Sequence, residues 1–159
     1  MSVTLLCVGK LRERFYADAV AEYQKRLSRL MPLRIVEVAD EPEPESLNDA
    51  LIERTLLREG ERLLACLDPR AYVVALCVDA KQPTSEELAR ELEALFLRGR
   101  SDVAFIIGGS LGLHRKVLDR ADARMGLSRM TFPHQLARVV LVEQLFRAAK
   151  INHHERYHK

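Results

Sequence analysis

Three glycines, Gly108, Gly109 and Gly112, follow directly on an apolar run at residues 103–107. Glycine lets the chain take positive φ and lets a ligand come close to the main chain. Residues 103–107 are few, β-branched at both ends and bounded by glycine, which predicts a strand buried on both faces. Ligands of open α/β sheets lie beyond the carboxyl ends of such strands. The G-G-x-x-G turn is therefore either the wall of a pocket or a tight strand-to-helix connection. It is neither G-x-x-x-x-G-K-[ST] nor G-x-G-x-x-G, so the usual phosphate cradles are missing and a nicotinamide-dependent oxidoreductase is disfavoured.

A second loop, MGLSRMTFP at residues 125–133, precedes a long helical pattern at 134–150. Pro133 suits the first helical turn, where its missing N–H does no harm, and Thr131 suits a cap. Two glycine-bearing loops at one sheet edge would hold a ligand between them. His134 and Arg138 stand four residues apart and share a helix face beside that loop. An imidazole there is suited to holding or removing a proton, and a guanidinium to stabilising negative charge on oxygen. The plainer alternatives are a hydrogen bond at the helix start for His134 and a structural ion pair for Arg138. Glu143 and Arg147, also four apart, read as a structural or interface pair. The tail carries His153, His154, Tyr157 and His158. It reads as a mobile polar segment, or as one that reaches into an active site; no metal is expected.

The elements that must position these groups alternate along the chain. Apolar runs at 3–8, 33–38 and 72–78 predict strands in addition to 103–107. Helical patterns fill 12–30, 47–67 and 84–97, and a short one precedes Met125. In the first, Phe15, Ala19, Tyr23 and Leu27 form the core stripe; in the second, Ala50, Leu51, Leu57 and Leu64 do. Ser46 or Asn48 caps the second helix. Thr84 and Glu87 form a capping box for the third. Strand and helix in repetition predict an α/β fold, a mostly parallel sheet flanked by helices. The end of the 72–78 strand, from Leu76 on, lies beside the glycine turn if the two strands are neighbours. At 100° per residue the apolar side chains of 134–150 point nearly all round, so this helix is buried on most sides or partly by a second subunit.

The chain has 159 residues, 48% hydrophobic and 30% charged, which predicts one globular domain over 1–159. No run approaches the roughly 20 apolar residues of a membrane span, and the first apolar run is too short for a signal peptide. A cytoplasmic protein without membrane partners is expected. Cys7, Cys66 and Cys77 lack C-x-x-C spacing and read as buried free thiols. Net charge is +2, unevenly spread: residues 115–159 hold ten Lys/Arg and four Asp/Glu, while 40–61 hold eight acidic residues and two arginines, with the ADEPEPES segment a loop. A basic carboxy-terminal surface suits contact with phosphate.

I-I-G-G-S-x-G-L at 106–113, L-S-x-M-T-F-P-H-Q at 127–135, R-V-V-L-x-E-Q-L-F-R-A at 138–148 and the terminal Y-H-K occur in this order. Together they resemble the RlmH family, the pseudouridine N3-methyltransferases of large-subunit ribosomal RNA within the SPOUT superfamily. The resemblance spans nearly the whole chain and is strongest from Val103 onward. It implies a SPOUT-type fold with a C-terminal trefoil knot, a homodimer, and S-adenosyl-L-methionine as methyl donor. It places that cofactor against Leu76, Gly108, Leu127, Ser128, Arg129, Met130, Thr131 and Phe132. With N3 of a pseudouridine as nucleophile, His134 is expected to position or deprotonate the base and Arg138 to stabilise its imide oxygens. Tyr157 and His158 are expected to contact the target base, in their own or the partner's site. With no RNA-stacking motif, so small a protein is expected to act on assembled ribosomes, whose surface supplies the missing contacts. The competing reading is a non-catalytic ribosome-binding dimer on the same scaffold.

Overall fold

The apolar runs become buried parallel strands. In the computed structural model, which describes residues 2–42, 46 and 48–158, β1 (Ser2–Val8), β2 (Leu33–Val38), β3 (Tyr72–Leu76), β4 (Asp102–Ile107) and β5 (Ala123–Met125) form one sheet. The order is β2-β1-β4-β3-β5 and every pairing is parallel. Helices α1 (Arg14–Leu27), α3 (Ser85–Leu97) and α5 (His134–Asn152) cover one face, and α2 (Asp49–Ala65) and α4 (Arg115–Arg120) the other. The central strands are therefore covered on both faces: Leu5 and Leu6 are neighbours in sequence, point to opposite faces and are both fully buried. Each such side chain contributes about 1.5–3 kcal/mol through burial. Register sets Cys7 beside Glu37 and Ile107, and Leu76 beside Met125, so the loops after β3, β4 and β5 leave one sheet edge together.

Helix starts follow their capping chemistry. Thr84 and Glu87 form the reciprocal capping box of α3, and Asn48 Oδ1 accepts the Leu51 N–H at the start of α2. Among the described residues, three charged or polar ones are buried: Glu59, His114 and Arg138. His114 caps α4, its Nδ1 accepting the Lys116 N–H at 3.1 Å, while its Nε2 lies 2.7 Å from Glu53.

Several sequence expectations need correction. β5, only three residues long, was not anticipated; it pairs with β3 because Met125 continues the core beside Leu76. β3 stops at Leu76, since Cys77 to Ala80 turn back, Ala80 N–H donating to the Cys77 carbonyl. Phe15, expected in the core stripe of α1, is 63% exposed; Val20 and Leu27 are the buried residues there. In α2 the buried set is Glu59, Gly60 and Leu63, and Ala50 is exposed. Cys7 is buried as expected, Cys77 is half-buried, but Cys66 is exposed. Leu47, the expected start of α2, and part of the acidic loop (Glu43, Pro44 and Glu45) lie outside the described residues.

Candidate functional site

The loops after β3, β4 and β5 and the start of α5 enclose a cleft. Its walls include Leu76, Cys77 and Val78 from the first loop, Gly108, Gly109 and Gly112 from the second, and Leu127, Ser128, Met130 and Phe132 from the third. His134 and Ala137 close it from α5. Two glycines are required by close approach. A Cβ on Gly108 would stand 2.2 Å from the Gly112 carbonyl oxygen, and one on Gly126 would stand 2.7 Å from the Ala80 carbonyl oxygen. In both cases the obstacle is backbone: a side chain on Gly108 would force the glycine turn open, and one on Gly126 would force the third loop off the first. Gly109 and Gly112 form an isolated antiparallel bridge. Cys77 N–H donates to Met125 O and Gly126 N–H to Lys81 O, each at 2.9 Å, locking the first loop to the third.

Within that brace the third loop is left open. Among the described residues, the main-chain N–H and C=O groups of Leu127, Ser128, Arg129, Thr131 and Phe132 bond to no protein group; only Met130 N–H is held, by Ser128 Oγ at 3.0 Å. Backbone polar groups need partners, and these lie beside an apolar wall with nothing but solvent or a ligand to meet. A purine edge beside an apolar ring face suits that combination. Val78 and Met130, 61% and 74% exposed, stand at the mouth. The enclosed space is about 130 Å³, below the several hundred typical of small-molecule pockets, so a ligand must extend beyond it. A neighbouring basin of about 340 Å³ shares Gly109 and His134 as walls and adds Lys10, Arg12, Asp40 and Glu59.

His134 thus stands between cleft and basin. Burial first, and then the Arg138 charge one turn on, hold its imidazole below the ordinary value of 6.5. At neutral pH it is a neutral ring with an acceptor nitrogen. Arg138 is elsewhere. It is fully buried and absent from both cavities. Its Nη1 donates to Glu37 at 2.7 Å and its Nη2 to the carbonyls of Val8 and Gly9 at 3.2 and 3.1 Å, with Nε left unpartnered. In this conformation it cannot touch a bound base; it fastens α5 to the carboxyl ends of β1 and β2. Thr131, expected as a cap, is exposed, and Pro133 itself precedes the first turn of α5 with no side-chain cap. Arg129 is exposed and Thr131 lies on the same loop, but neither lines the cleft. Cys77, Val78 and Ala137 were not anticipated as walls; their signal was adjacency to Leu76 and His134.

The tail is docked rather than loose. Tyr157 packs edge-on to Phe146 with ring centroids 4.8 Å apart, its OH donates to Glu143 at 3.2 Å, and the Arg147 guanidinium sits 4.8 Å over its ring. Burial, then a hydrogen bond with Tyr23, push the Tyr157 hydroxyl up to about 12. His158 Nε2 lies 2.7 Å from Glu86. Glu143 and Arg147 pair as expected, at 2.6 Å. His134 and Arg147 are thirteen residues apart on one helix, about 20 Å, so within one chain Tyr157 and His158 do not join the cleft.

Comparison with known proteins agrees with this geometry. The family described as "Predicted SPOUT methyltransferase" matches residues 1–158. Proteins named ribosomal RNA large subunit methyltransferase H from Bifidobacterium animalis and Bifidobacterium adolescentis are 50% and 51% identical over 159 residues, covering all of both chains. One from an Exiguobacterium species is 48% identical over the same full length. Among solved structures, a putative methylase family protein from Neisseria gonorrhoeae superposes with a TM-score of 0.51 at 15% identity, covering 91% of this chain and 81% of the other. A hypothetical protein superposes at 0.52 and 11% identity, covering 94% and 68%; these two speak to the fold alone. A parallel α/β sheet, a braced cleft at its carboxyl edge and full-length similarity at about half identity place this chain in the SPOUT methyltransferase family, among the large-subunit ribosomal RNA methyltransferases H.

Proposed function

We propose that this protein transfers a methyl group from S-adenosyl-L-methionine to N3 of a pseudouridine in large-subunit ribosomal RNA, acting on assembled ribosomes in the cytoplasm as a homodimer. The observation that carries the reading is the open main chain of residues 127–132 beside Gly108 and the apolar wall of Leu76, Leu127 and Phe132. Those groups fit an adenosine: the backbone bonds the purine edge and the apolar side chains cover its faces. When bound, the cofactor supplies an electrophilic methyl on sulfur. The chain must then bind, align and handle one proton.

N3 lies between two carbonyls, and its proton must leave before or as the methyl arrives. His134, neutral and at the border of cleft and basin, accepts or orients that proton. Arg138 acts indirectly, by fixing the strand ends that floor the basin. Leu136 and Val140 stand one turn apart on α5, half-buried and outside both core clusters. A second copy laid on that face buries them, and lets the partner's Tyr157 and His158 reach a base that their own chain's cleft leaves uncovered. The trefoil knot belongs to the same reading, as the path from β4 through β5 to α5.

The test is mass mapping of ribosomal RNA from cells lacking the protein, before and after whole ribosomes are treated with it and the cofactor. One pseudouridine should lack a methyl and regain it. Complete methylation without the protein would end the reading, and equal methylation of protein-free RNA would end its ribosomal part.

A further inference from the structure

On the other side of the cofactor cleft, sharing Met125 with it, a groove of about 370 Å³ runs between α3 and the β3–β5 edge. Its floor is apolar, with Val74, Leu88, Leu92 and Phe105 buried beneath it. It exists because β5 extends the sheet beyond α3, and among the described residues no further helix covers that corner. Three cations line it: Lys81 at the cleft end, Arg124 on the edge strand and Arg98 past the end of α3, all exposed. Among the described residues none of the three pairs with a carboxylate. Glu91 is the single acidic residue of the lining, and half-buried Tyr72 presents an aromatic ring at the lower end. α3 has 13 residues, so Lys81 and Arg98 are separated by about 20 Å of helix rise. A cationic track with an aromatic ring and an apolar floor is the pattern that binds single-stranded nucleic acid.

We infer that this groove takes the single strand flanking the target nucleotide, with Lys81, Arg124 and Arg98 on successive stretches of its phosphate backbone and Tyr72 against a base. The inference rests on the RNA methyltransferase reading and adds a strand path to it. Lys81 ties path to chemistry: its carbonyl accepts the Gly126 N–H at 2.9 Å, so the residue that opens the groove also braces the cofactor loop.

The experiment compares wild type, a triple variant Lys81→Ala/Arg98→Ala/Arg124→Ala, and a charge-matched control Arg34→Ala/Arg54→Ala/Arg70→Ala taken from exposed positions on β2, α2 and the loop after it. Melting curves establish that all three fold. Binding of a fluorescent single-stranded RNA oligonucleotide is measured against salt, and methyl transfer is measured on whole ribosomes. The triple variant should lose about two from the slope of log affinity against log salt. On ribosomes its KM should rise roughly tenfold with kcat within about twofold, the signature of lost uniform binding. The control should match wild type in both. Equal slopes and KM for triple variant and control overturn the groove. A wild type that binds RNA with the full slope yet methylates no ribosome leaves the groove standing and overturns the reading it rests on.

Discussion

Replacing Glu37 by Gln removes the one carboxylate that, among the described residues, pairs with the fully buried Arg138 guanidinium, while keeping an oxygen where Oε1 accepts from Arg138. Losing one partner of a buried ion pair costs about 3–5 kcal/mol. The hydrogen bond retained by the amide offsets about 1 kcal/mol, and the 30% exposure of Glu37 admits screening water. About 2–3 kcal/mol remains. For a chain of this size each kcal/mol moves the melting temperature by about 2–4 °C, so Tm should fall by about 5–10 °C. Thermal unfolding followed by circular dichroism reads the first number. Methyl transfer measured well below both melting temperatures reads the second, and kcat/KM should stay within about threefold. A variant that melts like wild type but loses about a hundredfold in kcat would refute the reasoning, because Arg138 would then be working on substrate.

Other outcomes follow from the same geometry. NMR titration of the His134 imidazole should give a midpoint below 6.5, since burial leads its displacement. The folded state then binds this proton less readily than the unfolded chain. His134 therefore adds stability above pH 6.5 that is lost as pH falls through the folded midpoint, and His134→Gln should flatten that loss. Cys7, whose thiol burial pushes up to about 12, should resist alkylation in the native protein, while exposed Cys66 reacts first and half-buried Cys77 more slowly; mass spectrometry of time points gives the order. Thr84→Ala should cost about 1 kcal/mol in urea unfolding through loss of the α3 cap, with cofactor binding unchanged.

How much was legible depended on the range of the cause. The capping box at Thr84 and the strand ending in Gly108 are local, and sequence alone placed both. The pairing of β3 with β4 was conditional on adjacency, and register supplied it. β5 escaped because three residues, Ala-Arg-Met, carry no period; only its place beside β3 makes them a strand. The buried face of α2 was misassigned because it holds Glu59 and Gly60. Glu59 is buried to accept the Glu41 N–H at 2.9 Å, a bond from a loop eighteen residues earlier that hydrophobicity does not report. Phe15 fits the helical stripe of α1 but lies in its first turn, beyond the core that buries Val20 and Leu27. Arg138 shares a face with His134 by spacing, yet Glu37 and the carbonyls of Val8 and Gly9, more than a hundred residues away, draw it inward. The tail looked free because its holdfasts, Phe146, Glu143 and Glu86, belong to two other helices.

Calorimetric titration of S-adenosyl-L-methionine into wild type and into Gly108→Ala tests the cleft itself. A methyl on residue 108 collides with the Gly112 carbonyl and forces the glycine turn, one wall of the cleft, to open. Wild type should bind one cofactor per chain, and the variant, folded by circular dichroism, should bind at least about thirtyfold more weakly, roughly 2 kcal/mol. Equal affinity in the two proteins would place the cofactor elsewhere and contradict the account.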